Sequence, residues 1–183
     1  VEAAVARLAA ANVPMVVGAM QSADASVVAE AVKLSGRLRL QAAVAALGQA
    51  LAHVEPAIRV AAVQALAEIA SPAAVQALER GLDDADREVR LASIRVIGAH
   101  KSRSALTKIA EVVQGRSVRE RDLTEKMAFF EAYGSLVGET GVAGLDGILN
   151  SGGFLKRKED PQTRACAAMA LGKIGTPSAR QSL

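Results

Sequence analysis

The side chains that could carry out catalysis or bind a metal ion are few in this sequence. Its 183 residues include one cysteine, Cys166, and two histidines, His53 and His100. These three residues show none of the short spacings that metal sites use. Cys166 lies in an apolar run, which indicates a small buried side chain in preference to a reactive thiol. We therefore predict no catalytic residue, no metal ligand and no bound cofactor.

Four glycines recur at every third position of one segment, at Gly138, Gly141, Gly144 and Gly147. Phosphate-binding loops and dinucleotide-binding fingerprints need other glycine spacings and a preceding strand, so this pattern predicts neither. The glycines instead indicate a thin helix of low stability, because each interior glycine costs roughly 0.5–1 kcal/mol relative to alanine.

Composition indicates the class of fold that must position any functional side chain. Apolar residues make up 51% of the chain, yet aromatic residues make up only 2%. Alanine and leucine favour helices, whereas a β-sandwich would use Val, Ile, Thr, Tyr and Phe together. The sequence thus predicts an all-α fold with a core of small aliphatic side chains.

The sequence carries no signal for secretion or for a membrane. One cysteine cannot form an internal disulfide, so nothing calls for an oxidising compartment. No uninterrupted apolar stretch reaches the length of about 18 residues that a membrane span needs, and no signal peptide is recognisable. We expect a cytoplasmic protein without a membrane span. Because a repeat pattern is under way at Val1 and continues to Leu183, we also expect a piece of a longer protein.

Internal repeats indicate the architecture. One apolar helical pattern recurs at intervals of 31, 31, 36 and 38 residues, at the equivalent positions Val28, Arg59, Arg90, Lys126 and Arg164. A second apolar stripe with i, i+3, i+7 spacing falls in a different helix and recurs at offsets of 31, 31, 31 and 36 residues. Its members are Val13, Val16 and Met20; Val44, Leu47 and Leu51; Val75, Leu78 and Leu82; Leu106, Ile109 and Val113; and Val142, Leu145 and Leu149. Each unit is therefore predicted to be a helix A followed by a helix B.

The helix pairs give about five and a half units within a single domain, residues 1–183. A pair of about 30 residues cannot bury its apolar stripe alone, so the units must stack, and we predict a right-handed α-α superhelix. Breaks between helices A and B are predicted at Ser35-Gly36, Ser71-Pro72, Lys101-Ser102 and Gly175-Thr176-Pro177. The two prolines suit the first turn of a helix. The units span residues 1–22 (partial), 24–53, 55–84, 86–115, 122–153 and 160–183 (partial).

Two segments carry the motif of a known family: Asp86-Arg87-Glu88-Val89-Arg90, followed by Ala92 and Gly98, and Asp160-Pro161-Gln162-Thr163-Arg164, followed by Ala168 and Gly172. They resemble short bacterial HEAT repeats, including those called phycobilisome-lyase HEAT-like, and the resemblance implies a HEAT-like solenoid over essentially the whole chain. In that family the Asp and the Arg link neighbouring repeats, which implies a structural ladder of Arg59, Asp86, Arg90, Asp160 and Arg164. We predict the i, i+4 pairs Asp86/Arg90 and Asp160/Arg164, with Glu55/Arg59 as a variant. The motif departs at Val28 and Lys126, which replace the arginine.

The resemblance also implies that helix B lines the concave side of the array. Projection at about 100° per residue places Gln76, Ala77 and Arg80 opposite the buried stripe of one helix B. The repeat offsets extend this face into a row of Gly18, Gln49, Arg80, Glu111 and Gly147 and a row of Met15, Ala46, Ala77, Lys108 and Gly144. Small side chains let another backbone approach, so we predict that a helix or extended peptide of a partner protein contacts Gln49, Gln76, Arg80, Lys108 and Glu111. The alternative is that alanine only favours helix formation here.

The two longest connections form a second candidate surface. Each joins a helix B to the next helix A, so both must emerge on the same edge. This basic edge consists of Arg116, Arg119, Arg121, Lys156, Arg157 and Lys158. It could meet phosphate or an acidic protein, although solvated loops are commonly charged without such a role.

These features together predict a non-catalytic scaffold for protein–protein interaction, acting through the concave helix-B face or the basic edge. The alternative, implied by the resemblance, is an accessory or lyase-like HEAT protein that handles a chromophore or a modified protein. Nucleic-acid binding is the weakest alternative, because the net charge is only +3 and the chain offers no Trp, one Tyr and three Phe for base stacking.

Overall fold

The structure is a computed structural model that describes residues 12–151 and 159–183, and all regular elements in these two ranges are helices. The longer helices take the place of helix A: α2 (Ala25–Arg37), α4 (Pro56–Ile69), α6 (Arg87–Ala99), α8 (Leu123–Val137) and α10 (Pro161–Ile174). The shorter ones take the place of helix B: α1 (Val13–Ala19), α3 (Val44–Ala50), α5 (Pro72–Ala77), α7 (Leu106–Gln114), α9 (Val142–Leu149) and α11 (Pro177–Gln181). Short 3₁₀ segments adjoin them at Gln41–Ala43, Leu78–Asp83, Arg103–Ala105, Ser117–Glu120 and Gly138–Gly141. The predicted all-α fold of repeated helix pairs is confirmed.

The helix-A series repeats at the predicted intervals. Its members begin at residues 25, 56, 87, 123 and 161, which are 31, 31, 36 and 38 residues apart. The helix-B stripe is buried as well, since its central residues are exposed by 6% or less: Val16, Leu47, Leu78, Ile109 and Leu145. Both periodic signals therefore mark the side of a helix that is hidden from water.

Several helices begin at a residue that satisfies their free amide groups. Asp24 accepts a hydrogen bond from the amide of Ser26 at 2.8 Å. Ser71 and Thr176 accept from amides three residues further on, at 3.2 and 3.4 Å. Each of these two caps is followed directly by a proline that begins its helix, as predicted, because the missing N–H of proline is no loss there.

The predicted break at Ser35-Gly36 is wrong, because α2 continues to Arg37. Ser35 donates its hydroxyl to the carbonyl oxygen of Ala31 at 2.9 Å, so it is satisfied within the helix. Gly36 serves helix packing instead of chain reversal. A Cβ atom there would lie 2.7 Å from Cα of Ala65 in α4, closer than side chains allow.

The chain forms two compact units, one ending at Val96 and the other beginning at Ile97. Each of them contains several helix-pair repeats, and they are called the first unit and the second unit from here on. In the first unit α2 packs along α4, and in the second α8 packs along α10. Phe129 and Phe130 are fully buried in the second unit, and Cys166 is 2% exposed, so burial raises the pKa of its thiol. The assignment of residues 1–183 to a single domain stays a prediction. None of the helices in the described ranges has the length and apolar character that a bilayer crossing requires.

Replacing Gly134 and Gly147 by alanine should change stability in opposite directions. A Cβ at Gly134 in α8 would lie 2.8 Å from the carbonyl oxygen of Ala170 in α10, whereas a Cβ at Gly147 in α9 would meet nothing within 4 Å. We expect Gly134→Ala to lower the free energy of unfolding by about 1–3 kcal/mol and Gly147→Ala to raise it by about 0.5–1 kcal/mol. Urea denaturation followed by circular dichroism measures both. A stabilised Gly134→Ala variant would contradict the close packing of α8 on α10.

Candidate binding surfaces

The helix-B surface of the first unit presents polar side chains to solvent. Gln49, Gln76 and Arg80 are all exposed. Gln21 donates from Nε2 to Oε1 of Gln49 at 3.2 Å, and Arg80 donates from Nη1 to the carbonyl oxygen of Gly48 at 3.4 Å. Gln21 follows α1 and Arg80 lies in the 3₁₀ segment after α5, so these hydrogen bonds connect the ends of neighbouring repeats to α3.

The small residues predicted for this surface differ in their exposure. Among the residues that the structure describes, nothing lies within 4 Å of the place where a Cβ at Gly18 would stand. Met15 is 68% exposed, but Ala46 is only 7% exposed, and its predicted place on the surface is wrong. Ala46 precedes the fully buried Leu47 in α3, and both side chains belong to the core.

The helix-B surface of the second unit carries charges of both signs, and α9 has Gly144 where the corresponding helices of other repeats have larger side chains. Glu111 is exposed and Lys108 is partly exposed. Gln114 donates from Nε2 to the hydroxyl of Tyr133 at 2.9 Å. A Cβ at Gly144 would come within 3.3 Å of the same Nε2 atom, so the glycine leaves room for this hydrogen bond.

The described part of the basic edge is largely committed to ion pairs. Arg119 binds the carboxylate of Glu159, with 2.8 Å between Nε and Oε2, and this contact raises the pKa of Arg119. Arg121 donates to Glu125 at 2.9 Å, and its Cζ lies 4.6 Å from the centroid of the Phe129 ring. The Arg119–Glu159 pair links the connection before α8 to the residue that precedes Asp160.

The remaining residues of the basic edge differ in position. Arg116 is exposed. Lys156, Arg157 and Lys158 lie outside the described residues. The expectation that Arg121 faces a partner is wrong, because its side chain is only 13% exposed where it stacks on the phenyl ring.

The ladder residue Arg59 makes its ion pair with Asp84, which sequence reasoning missed. Its Nε and Nη2 atoms donate to the two carboxylate oxygens of Asp84 at 2.8 and 2.7 Å, and Nη1 donates to the carbonyl oxygen of His53 at 2.8 Å. The predicted Glu55/Arg59 pair is therefore wrong, because the guanidinium of Arg59 donates its hydrogen bonds to the Asp84 carboxylate and to the His53 carbonyl oxygen instead. The available signal was the acidic run 83–86, one connection further along the chain.

Asp84, Asp86 and Arg90 together organise the start of α6. Arg90 donates from Nη1 to the carbonyl oxygens of Asp84 and Ala85, both at 2.8 Å. Asp86 accepts from the amide of Glu88 at 2.9 Å and so caps α6. Burial opposes the ionisation of Asp84, but the hydrogen bonds from Arg59 and from the Asp86 amide outweigh it and lower the pKa of Asp84.

The corresponding contact of the second unit uses lysine in place of arginine. Lys126 donates to both carboxylate oxygens of Asp160 at 3.3 Å. Asp160 also caps α10 by accepting from the amide of Thr163 at 3.0 Å. Burial opposes ionisation here too, yet the bonds from Thr163 and Lys126 lower the pKa of Asp160 to about 2. Arg164 donates to the carbonyl oxygen of Leu149 at 2.7 Å, so the predicted Asp160/Arg164 pair is wrong.

Potential metal ligands do not cluster in the part of the chain that the structure describes, where no three His, Cys, Asp or Glu side chains come together. His53 accepts from the amide of Glu55 through Nδ1 at 3.1 Å, while its carbonyl oxygen accepts from Arg59. Through these two hydrogen bonds, His53 fixes the connection that precedes α4 to the start of that helix.

Comparison with known proteins shows the family to which this chain belongs. A sequence profile of HEAT repeats matches residues 13–98 and again residues 44–124. The chain belongs to the HEAT-repeat family, and the resemblance inferred from the sequence is confirmed. A search of the curated protein sequences gives no match.

Seventeen chains of solved structures match this chain. One of them belongs to the complex of CpcE and CpcF of phycocyanin lyase from Nostoc sp. PCC7120. It is 21% identical in sequence, with a TM-score of 0.64 and coverage of 91% of this chain. This chain spans 66% of the length of that one, and the likeness shows a shared fold.

Arg59→Met should destabilise the first unit, because it leaves the Asp84 side chain, which is 9% exposed, without its cation. We expect the free energy of unfolding to fall by about 2–3 kcal/mol. Lys33→Met removes an exposed ion pair with Glu30 and is the matched control, with an expected change of less than about 0.5 kcal/mol. Urea denaturation at neutral pH measures both variants. Equal losses would contradict a special role for the Arg59–Asp84 pair.

Proposed function

We propose that this HEAT-repeat chain is a non-catalytic scaffold that binds a protein partner on the helix-B surface of its first unit, at Gln49, Gln76 and Arg80. The supporting observation is that the polar side chains of this surface and those of the basic edge differ in their hydrogen bonds and ion pairs. On this surface they are exposed, and Gln49 accepts one hydrogen bond while its amide hydrogens stay available. On the basic edge, Arg119 and Arg121 are already committed to carboxylates. The helix-B surface is therefore the better candidate.

The chemistry of this surface suits a helix or an extended segment of the partner. A carboxamide carries a donor and an acceptor together, so Gln49 and Gln76 can bond to the N–H and C=O groups of a main chain. The planar guanidinium of Arg80 can donate hydrogen bonds to a carboxylate of the partner. In the second unit, Lys108 and Glu111 occupy the corresponding helix and offer charges of both signs.

Site-specific photocrosslinking tests this proposal. A crosslinker at Gln49 or Arg80 should capture the same partner protein from the source cells, and the partner, once purified, should bind Arg80→Glu with about tenfold lower affinity. Gln64 on α4 is the matched control, because it is an exposed glutamine on a helix A. Equal capture at Gln64, or full affinity of Arg80→Glu for the partner, would contradict the assignment.

A second candidate function is an accessory or lyase-like protein that handles a chromophore or a modified protein. The observation that favours it is the likeness to a chain of the phycocyanin lyase complex. Incubation with a bilin separates the candidates by absorbance. A scaffold leaves the spectrum of the free bilin unchanged, whereas a shifted and intensified band that survives gel filtration would favour the second function. For either function we propose a bacterial cytoplasmic location, in keeping with a single, buried cysteine.

A further inference from the structure

A separate surface lies at the turn between α6 and α7 in the second unit. No Asp or Glu occurs between Glu88 and Glu111, whereas five Lys and Arg residues do. His100, Lys101 and Arg103 occupy a four-residue segment of that stretch, and all three are exposed. We call these three residues the basic turn.

The positive charges of Lys101 and Arg103 in the basic turn are not neutralised by the fold. Within residues 12–151 and 159–183, no side-chain hydrogen bond or ion pair engages His100, Lys101 or Arg103. Four other cations of the second unit are paired with carboxylates: Arg119 with Glu159, Arg121 with Glu125, Lys126 with Asp160 and Lys173 with Glu131. The basic turn therefore concentrates charge that is free to meet a ligand.

Folding does not account for the residue types of the basic turn. Lys101 has a φ of 49°, in the left-handed region that favours glycine. Arg103 lies at the start of the 3₁₀ segment that leads into α7, where the helix dipole disfavours positive charge. Both long basic side chains thus stand where stability alone would select other residues.

We propose that the basic turn docks an acidic segment of a partner protein, with Asp or Glu side chains pairing with Lys101 and Arg103. Charge complementarity supports this occupant, because the turn offers unpaired cations and no carboxylate of its own. Exposed ion pairs are individually weak, so the segment needs several carboxylates along its length. The inference shares with the proposed function only that the partner is a protein, since Gln49, Gln76 and Arg80 take no part in it.

Fluorescence anisotropy with a labelled oligoglutamate peptide at low ionic strength tests the docking directly. We expect the K101E/R103E variant to lose about tenfold in affinity relative to the unmodified chain, and added salt to weaken binding. The control R37E/R180E carries the same net charge and alters two exposed arginines outside the basic turn and the basic edge, so it should lose less than about threefold. Equal losses in both variants, or no binding by the unmodified chain, would overturn the proposal. Because the probe is synthetic, the result does not depend on the crosslinking at Gln49.

Lys101→Gly separates docking from a role in folding. Glycine suits a φ of 49°, so the melting temperature should stay the same or rise while the affinity for the peptide falls by a few-fold. A lower melting temperature with unchanged affinity would assign Lys101 to the fold and overturn the proposal.

Discussion

Close packing between the A helices of successive repeats is the interaction on which the rest of each unit depends. A single hairpin of about 30 residues exposes an apolar stripe that only a neighbouring hairpin can cover. The helices come so near that a glycine stands at the contact: Gly36 against Ala65 in the first unit, and Gly134 against Ala170 in the second. With the apolar stripes used in this way, the outer face of helix B is left for polar and small residues, and this is the surface on which we propose that a partner binds.

The polar contacts between repeats follow from the same packing, because stacked hairpins bring the connection of one repeat beside helix A of another. Arg59 meets Asp84 in the first unit, and Lys126 meets Asp160 in the second. The pKa values of both carboxyl groups are lowered, so they remain charged through the physiological range. Charges at these connections thus help to hold the repeats together.

The sequence predicts the helices better than the contacts, for a physical reason. Periodicity is a local signal that repeats along the chain, and two independent registers located helices A and B. The sequence predicts a break at Gly36 because a glycine can mark either a turn or a close approach, and only the position of Ala65 distinguishes them. The partner of Arg59 was missed because it lies 25 residues away, whereas the i, i+4 rule considers only its own helix. The stacking of Arg121 on Phe129 likewise depends on a side-chain direction that spacing does not give. The acid-free stretch around the basic turn is visible in the sequence, but the absence of side-chain ion pairs at His100, Lys101 and Arg103, among the described residues, is a structural observation.

Native-state hydrogen exchange of Gly36→Val measures the dependence of one repeat on the next most directly. A Cβ at this position would press on the backbone of Ala65, so the variant should lose amide protection in α2 and α4 together and by similar factors. Loss of protection in α2 with unchanged protection in α4 would contradict the claim that neighbouring helix pairs stabilise one another.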